Sequence, residues 1–151
     1  MVEKEEIKKH YTLNNGMQMP ILGLGTGSIE SADIFEQAIK VGYRHFDTAS
    51  LYENEEFLGE AIQRAISAGV VMREDLFIVT KIWHTEYAEP EAALRRSLAK
   101  LKLEYVDCYL IHWPNNLASE SKKPYHVLWA ELELLAEKGL TKSLGVSNFG
   151  V

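Results

Sequence analysis

From about residue 21 onward this chain repeats one pattern: an extended apolar run, then a run with helical periodicity. Helices are expected over 31–41, 55–68, 90–101 and 125–138, and extended runs over 44–49, 76–82, 106–113 and 143–147. The helical runs carry apolar stripes at three- and four-residue spacing: Ile34, Phe35, Ala38 and Ile39, then Phe57, Leu58, Ala61, Ile62 and Ala65, and later Val127, Leu128, Leu132 and Leu135. Gly69 and Gly139 end two of them, and Pro90 opens another in the first turn, where its missing N–H costs little. Strict alternation of this kind means a parallel sheet with right-handed crossovers, because each strand returns through a helix packed on the sheet face. With strands starting near Ile21, Arg44, Leu76, Val106 and Ser143, the spacing suits a doubly wound sheet or a (β/α)8 barrel.

Ahead of the repeat, Asn14-Asn15-Gly16 separates two short extended runs, which predicts a β-hairpin, since Asn and Gly both tolerate positive φ. The following Ile21-Leu22-Gly23-Leu24-Gly25-Thr26-Gly27-Ser28 is an apolar run ending in glycines. It is not a full Gly-x-Gly-x-x-Gly, and no Gly-Lys-Ser/Thr follows, so it does not make a dinucleotide fingerprint. A length of 151 residues is enough for one domain with a core. The net charge is −6 without any basic run, which argues against nucleic acid or an anionic membrane as partner. One cysteine, Cys108, excludes an internal disulfide or a cysteine-based metal cluster and suits a reducing, cytoplasmic compartment. The polar segment 1–9 reads as frayed and is not a secretory signal, and no run reaches the roughly 18 apolar residues that a membrane span requires. The stretch from Asn115 to Pro124 is the longest irregular segment, placed where loops after strands shape pockets.

The chemistry gathers at the C-terminal ends of the strands, the ligand face of α/β folds. Residues 42–59 run from strand to helix and carry Asp47 at the strand end and Tyr52 just beyond. Period-two alternation puts Phe77, Val79 and Lys81 on one face of the next strand, and Val106, Cys108, Leu110 and His112 on one face of the strand after it. Lys81 is costly to bury unless paired, and Asp47 on the neighbouring strand is its natural partner. Asp47 and Tyr52 alone could be a capping acid and a packing aromatic. A lysine, an acid, a phenol and an imidazole on adjacent strand ends point instead to proton donation onto a carbonyl. A phenol ionises near pH 10, and a neighbouring ammonium favours its phenolate. So tuned, it can serve as a general acid near neutral pH, with His112 orienting the carbonyl oxygen. A hydrolase is the weaker reading, because Ser147 is not in a nucleophile elbow. A metal site is weaker still, because His84 lies three past Lys81 without a matching ligand motif.

Over residues 10–149 the chain resembles the aldo-keto reductase family. Gly42-Tyr43-Arg44 through Asp47 and Ala49, followed by Tyr52, Asn54 and Glu55, resembles its first signature. Glu74 to Lys81 resembles its lysine strand, Leu101 to Pro114 its histidine strand, and Lys142 to Phe149 its second signature. The resemblance implies a (β/α)8 TIM-barrel fold closed at its base by an N-terminal hairpin, here about five βα units of it, an incomplete barrel in a single domain over 1–151. It implies NADPH-dependent reduction of aldehydes or ketones, with Tyr52 as the acid, Lys81 and Asp47 tuning it, and His112 orienting substrate. Gly25, Thr26, Asp47, Ser147 and Asn148 are expected to face the nicotinamide half of NADPH (NADP+), and Trp83, His112 and Trp113 to wall the pocket of a small carbonyl substrate.

Two departures from the family pattern stand out. Gly27 follows the Gly-x-Gly-Thr run where many members carry an aromatic residue, which leaves the pocket wall more open. The chain also ends at Val151, after the fifth strand, ahead of the family's adenosine-phosphate motif and C-terminal specificity loop. Two expectations follow. The chain is a reductase whose missing half is lost from it, removed by cleavage, or supplied by a second chain or by self-association. Alternatively, it is a catalytically inactive half-barrel that acts through a partner chain.

Overall fold

The structure, a computed structural model, describes residues 9–114 and 120–150. Two short strands, β1 (His10–Thr12) and β2 (Gln18–Pro20), pair antiparallel with Tyr11 opposite Met19. The Gly16 N–H donates to Leu13 O across the turn, and Gly16 takes φ +84° while Asn14 and Asn15 stay at negative φ. Only the glycine therefore needs the left-handed region, not both turn residues. The Asn15 amide reaches across to donate to Lys142 O, which ties the hairpin under the far end of the sheet.

The main sheet has five strands, β3 (Leu24–Gly25), β4 (His45–Asp47), β5 (Phe77–Ile82), β6 (Cys108–Ile111) and β7 (Leu144–Val146). Their spatial order is their chain order, and every pairing is parallel. This order decides between the two architectures that the spacing allowed. A doubly wound sheet reverses its strand order at a switch point, whereas a barrel adds each strand beside the last. The helices follow the same rule: α1 (Ala32–Lys40) packs on α2 (Glu55–Ser67), α2 on α3 (Pro90–Leu101), and α3 on α4 (Tyr125–Glu137).

Between helices and sheet lies one apolar cluster that includes Phe35, Phe46, Leu58, Ile78, Leu94 and Ile111. Residues of β4 to β6 alternate between this cluster and the concave face: Phe46, Ile78, Thr80, Ile82, Tyr109 and Ile111 point to the helices, and their immediate neighbours along each strand point away. All six residues of β5 are buried, as expected for a strand covered on both faces.

Several sequence expectations are corrected here. Ile34 and Val127 are exposed, because the buried stripes run through Ala32, Phe35, Ala38 and Ile39 and through Leu128, Leu132 and Leu135. One helical step turns each of the two outliers about 100° from the stripe residue next to it. Val106 does not share the concave face with Cys108 and Leu110 but joins the helix-side cluster, since regular pairing with β5 begins only at Cys108. The first strand is two residues long and starts at Leu24, leaving Ile21 and Leu22 exposed. The expectations for segment 1–9 and for the 115–124 loop fall, over 1–8 and 115–119, outside the described residues.

Gly59 is where α2 and α3 touch backbone to backbone. A Cβ there would lie 2.4 Å from Lys100 O and 2.7 Å from two backbone atoms of Leu101. Alanine normally gains about 1 kcal/mol over glycine in a helix, but forced overpacking against rigid backbone costs about 1–3 kcal/mol. Gly59→Ala is therefore expected to lower stability by about 1 kcal/mol net. Chemical denaturation of the full-length protein checks it: a midpoint equal to or above the parent's would mean that the helices can separate without cost.

Candidate active site

Each functional side chain is placed by the strand before it. Asp47 ends β4, and parallel register sets it beside Val79, one inward position below Lys81. Lys81 in turn pairs Leu110, one inward position below His112, which directly follows β6. Past Asp47 the chain makes a 3-10 turn over Ser50–Tyr52, which carries the phenol back over the strand ends. Three consecutive strands thus bring an acid, a lysine and an imidazole to one corner, with the tyrosine above them.

The lysine is the centre of the corner. It is 3% exposed, and its ammonium has three donors to satisfy. Nζ lies 2.7 Å from Asp47 Oδ1, 2.8 Å from Thr48 O and 3.4 Å from Tyr52 Oη. The buried charge is thereby ion-paired with Asp47 and hydrogen-bonded to Thr48 O and Tyr52 Oη, which is what keeps it tolerable. Because the phenol oxygen accepts from Lys81, its own O–H is left to donate, and among the described residues Tyr52 Oη makes no second hydrogen bond. His112 is buried, its ring edge-on to Tyr52 (centroids 5.6 Å) and to Trp83 (5.1 Å). Burial, and secondarily the Lys81 ammonium, push the imidazole below its usual range, against a weaker pull from Asp47. It is therefore neutral at pH 7, with Nδ1 buried and without a hydrogen-bond partner among the described residues. A neutral imidazole carries one N–H, which suits it to hold an oxygen rather than to act as a charged acid.

The other expected site residues lie around this corner. Gly25 is exposed at the end of β3, with no atom within 4 Å of where a Cβ would be, so the backbone there is open to close approach. Thr26 is fully buried, and its N–H and hydroxyl both donate to Asp47 O, so it braces β4 and shows no surface. Ser147 follows β7, its N–H bonded to Ile111 O, and the Asn148 amide donates to His112 O and to Ser147 Oγ. Trp83 packs edge-on against His112, while Trp113 is 46% exposed at the rim. A Cβ on Gly27 would stand 3.8 Å from the Tyr52 ring, so the residue expected to open the pocket wall does sit beside the phenol.

Sequence reasoning missed the residues that hold this set in place. Asn54, buried, donates to Thr26 O and Ile29 O and so ties the β3 loop to the start of α2. Glu55 accepts from Thr80 Oγ1 at 2.6 Å, and its burial raises its carboxyl above the usual range. The Asn-Glu pair after Tyr52 was the available signal, but polar residues opening a helix read first as caps. Burial also raises the Cys108 thiol, which makes it a poor nucleophile. Among the described residues no group of three or more His, Cys, Asp or Glu could hold a metal, and no helix is long and apolar enough to cross a membrane.

An in-order parallel sheet with its polar cluster at the C-terminal strand ends defines a segment of a (β/α)8 barrel enzyme fold. The chain belongs to the Aldo/keto reductase family, whose profile matches residues 19–151. It is 43% identical to an aldose reductase of Encephalitozoon cuniculi, over 95% of this chain and 54% of that protein. It is 45% identical to the methylglyoxal reductase DkgA of Yersinia pestis, over 92% of this chain and 48% of the other. Its fold superimposes on a Bombyx mori aldo-keto reductase solved in complex with NADP at a TM-score of 0.83, with 39% identity, covering 93% of this chain and 50% of that one. The chain therefore spans about half the length of the relatives that it matches.

Proposed function

We propose that this chain carries the catalytic corner of an NADPH-dependent carbonyl reductase acting on small aldehydes or ketones. The observation that carries the reading is the Lys81 ammonium bridging Asp47 and the Tyr52 phenol at the strand ends. Structural relatives complexed with NADP or NADPH, and relatives named for aldose and methylglyoxal reduction, support it. NADPH, when bound, supplies hydride to the carbonyl carbon. Tyr52 gives its phenolic proton to the carbonyl oxygen. Lys81 steadies the phenolate left behind, Asp47 holds Lys81, and neutral His112 orients the oxygen through its N–H.

The residues present fit the cofactor. The backbone at Gly25 is bare, and Asp47, with its side chain 43% exposed, Ser147 and Asn148 border the same corner. We assign these four to the nicotinamide half, and give Thr26 the part of bracing Asp47 from behind. Trp83 and His112 form the pocket wall, Trp113 its rim, and Gly27 leaves room beside the phenol. A reducing, cytoplasmic setting suits the thiol of Cys108.

A barrel of this kind has eight strands, and the described residues supply five of them. We assign the rest to further polypeptide or to a second chain. An inactive half-barrel that works by association is the competing reading, favoured by the outer edges of β3 and β7, which have no strand beside them among the described residues. Titration with NADPH followed by NADPH-oxidation assays on small aldehydes separates the two: a protein with a completed barrel that neither binds NADPH nor turns over any aldehyde is a scaffold.

Lys81→Met tests the corner directly. It removes the ammonium and leaves Asp47 without its partner, so kcat is expected to fall by roughly a hundredfold or more with NADPH affinity within a few-fold. A kcat within a few-fold of the parent would reduce Lys81 to half of a structural ion pair.

A further inference from the structure

The 3-10 turn that presents Tyr52 is three residues long, and among the described residues the hydrogen bonds of Tyr52 are the one its phenol oxygen accepts from Lys81 and the one its N–H donates to Ala49 O, beside the edge-on ring contact with His112. Something must fix where the turn starts, because a displacement of about 1 Å in reacting groups can cost a hundredfold in rate. The turn starts at Ser50. Ser50 Oγ lies 2.6 Å from Glu86 Oε2 and 3.1 Å from Lys81 O, so its proton is shared between a carboxylate and the main chain of the lysine. Glu86 closes a second 3-10 turn, His84–Glu86, and the same Oε2 accepts the Trp83 N–H at 3.2 Å. Its other oxygen accepts from Arg96 Nη2 on α3 at 3.0 Å. One carboxylate oxygen thus joins the start of the Tyr52 turn to the residue whose indole packs on His112. The side chains meet at the wall of a crevice of about 270 Å³ behind the site, lined also by Ser97 and Lys100.

We propose that Glu86 is a positioning residue for the reaction: with Ser50 it forms a clasp that sets the Tyr52 phenol against Lys81 and, through Trp83, the His112 ring. Glu86 touches neither Tyr52 nor His112 and acts through the two turns it joins. The inference rests on the reading of Tyr52 as the acid. Sequence gave no hint of it, since Ser50 and Glu86 lie 36 residues apart on two loops.

The test uses the full-length protein with its barrel complete, and four variants: Ser50→Ala, Glu86→Ala, Glu86→Gln and the Ser50→Ala/Glu86→Ala double. Each is assayed for kcat and carbonyl KM, for NADPH affinity by fluorescence quenching, and for Tm, with Tyr52→Phe as control. Ser50→Ala and Glu86→Ala are expected to lower kcat about tenfold or more with NADPH affinity unchanged. The double variant should be no worse than Glu86→Ala, because the two residues act as one unit. Glu86→Gln, which keeps an acceptor oxygen for both turns, should recover most of the rate. If Glu86→Ala does not fold, Ser50→Ala, a single-atom deletion, carries the test alone. A lower Tm with kcat within twofold of the parent overturns the proposal, and so do fully additive losses. Tyr52→Phe at full turnover would sink the acid reading and this inference with it. An inactive Tyr52→Phe beside a normal Ser50→Ala would sink the inference alone.

Discussion

Tyr52→Phe should reduce carbonyl turnover by roughly 10²–10⁴-fold, the range that a positioned general acid contributes. The substitution removes one oxygen and keeps the ring, so the edge-on contact with His112 and the cation–ring approach of Lys81 Nζ at 4.9 Å survive. Lys81 loses one acceptor of three but keeps Asp47 and Thr48 O, and the corner stays folded. NADPH affinity and Tm should therefore change little while kcat collapses, which is the signature of an interaction that matters in the transition state alone. Steady-state kinetics with NADPH and a small aldehyde would measure it. Turnover within a few-fold of the parent would leave His112 as the remaining donor at the corner and move the acid role there.

The second large effect concerns a polypeptide of these 151 residues produced by itself. It is expected to self-associate and to show little reductase activity. Among the described residues, the outer edges of β3 and β7 carry unpaired N–H and C=O groups, and such edges template pairing with another chain. Val146 and Phe149, at the β7 edge, and Ile21 and Leu22, near the β3 edge, add exposed apolar surface. Five strands cannot close a barrel whose geometry calls for eight. The concave face fares better than its residue types suggest: Phe77, Val79 and Lys81 are buried, while Cys108 and Leu110 are only partly covered. The exposed edges, more than a ruined core, should then drive association. Size-exclusion chromatography with light scattering, run beside an NADPH-oxidation assay, reads both parts. A sharp monomer of 17.1 kDa with a cooperative melt and ordinary turnover would refute the prediction and show that five strands build both core and site.

By itself the sequence determined the repeat, the parallel sheet and the identity of the four polar residues at the strand ends. Those properties are local. The 3.6-residue period of α2 and α3 and the two-residue period of β5 report which face each residue takes, and a lysine closing an apolar strand signals a buried charge that needs a partner. Strand order was not legible, because periodicity says which face is buried and not which element lies against it; the in-order pairing of β3 through β7, which makes the sheet a barrel segment, exists only in three dimensions. The same limit explains Ile34 and Val127, apolar residues at stripe edges, and Val106, whose face changes where pairing with β5 begins. It explains the Gly59 contact with Lys100, where nothing in either helix's pattern announces the other's backbone. The supporting polar contacts were the least legible of all. Ser50, Glu86 and Asn54 lie in turns or at a helix start, where side chains follow no period, and their partners come from distant segments. The convergence of Tyr52, Lys81, Asp47 and His112 was expected from their places at the strand ends, but only the folded sheet, by stacking three strand ends side by side, decided their distances and put the Glu86 carboxylate within hydrogen-bond reach of Ser50 at the start of the Tyr52 turn.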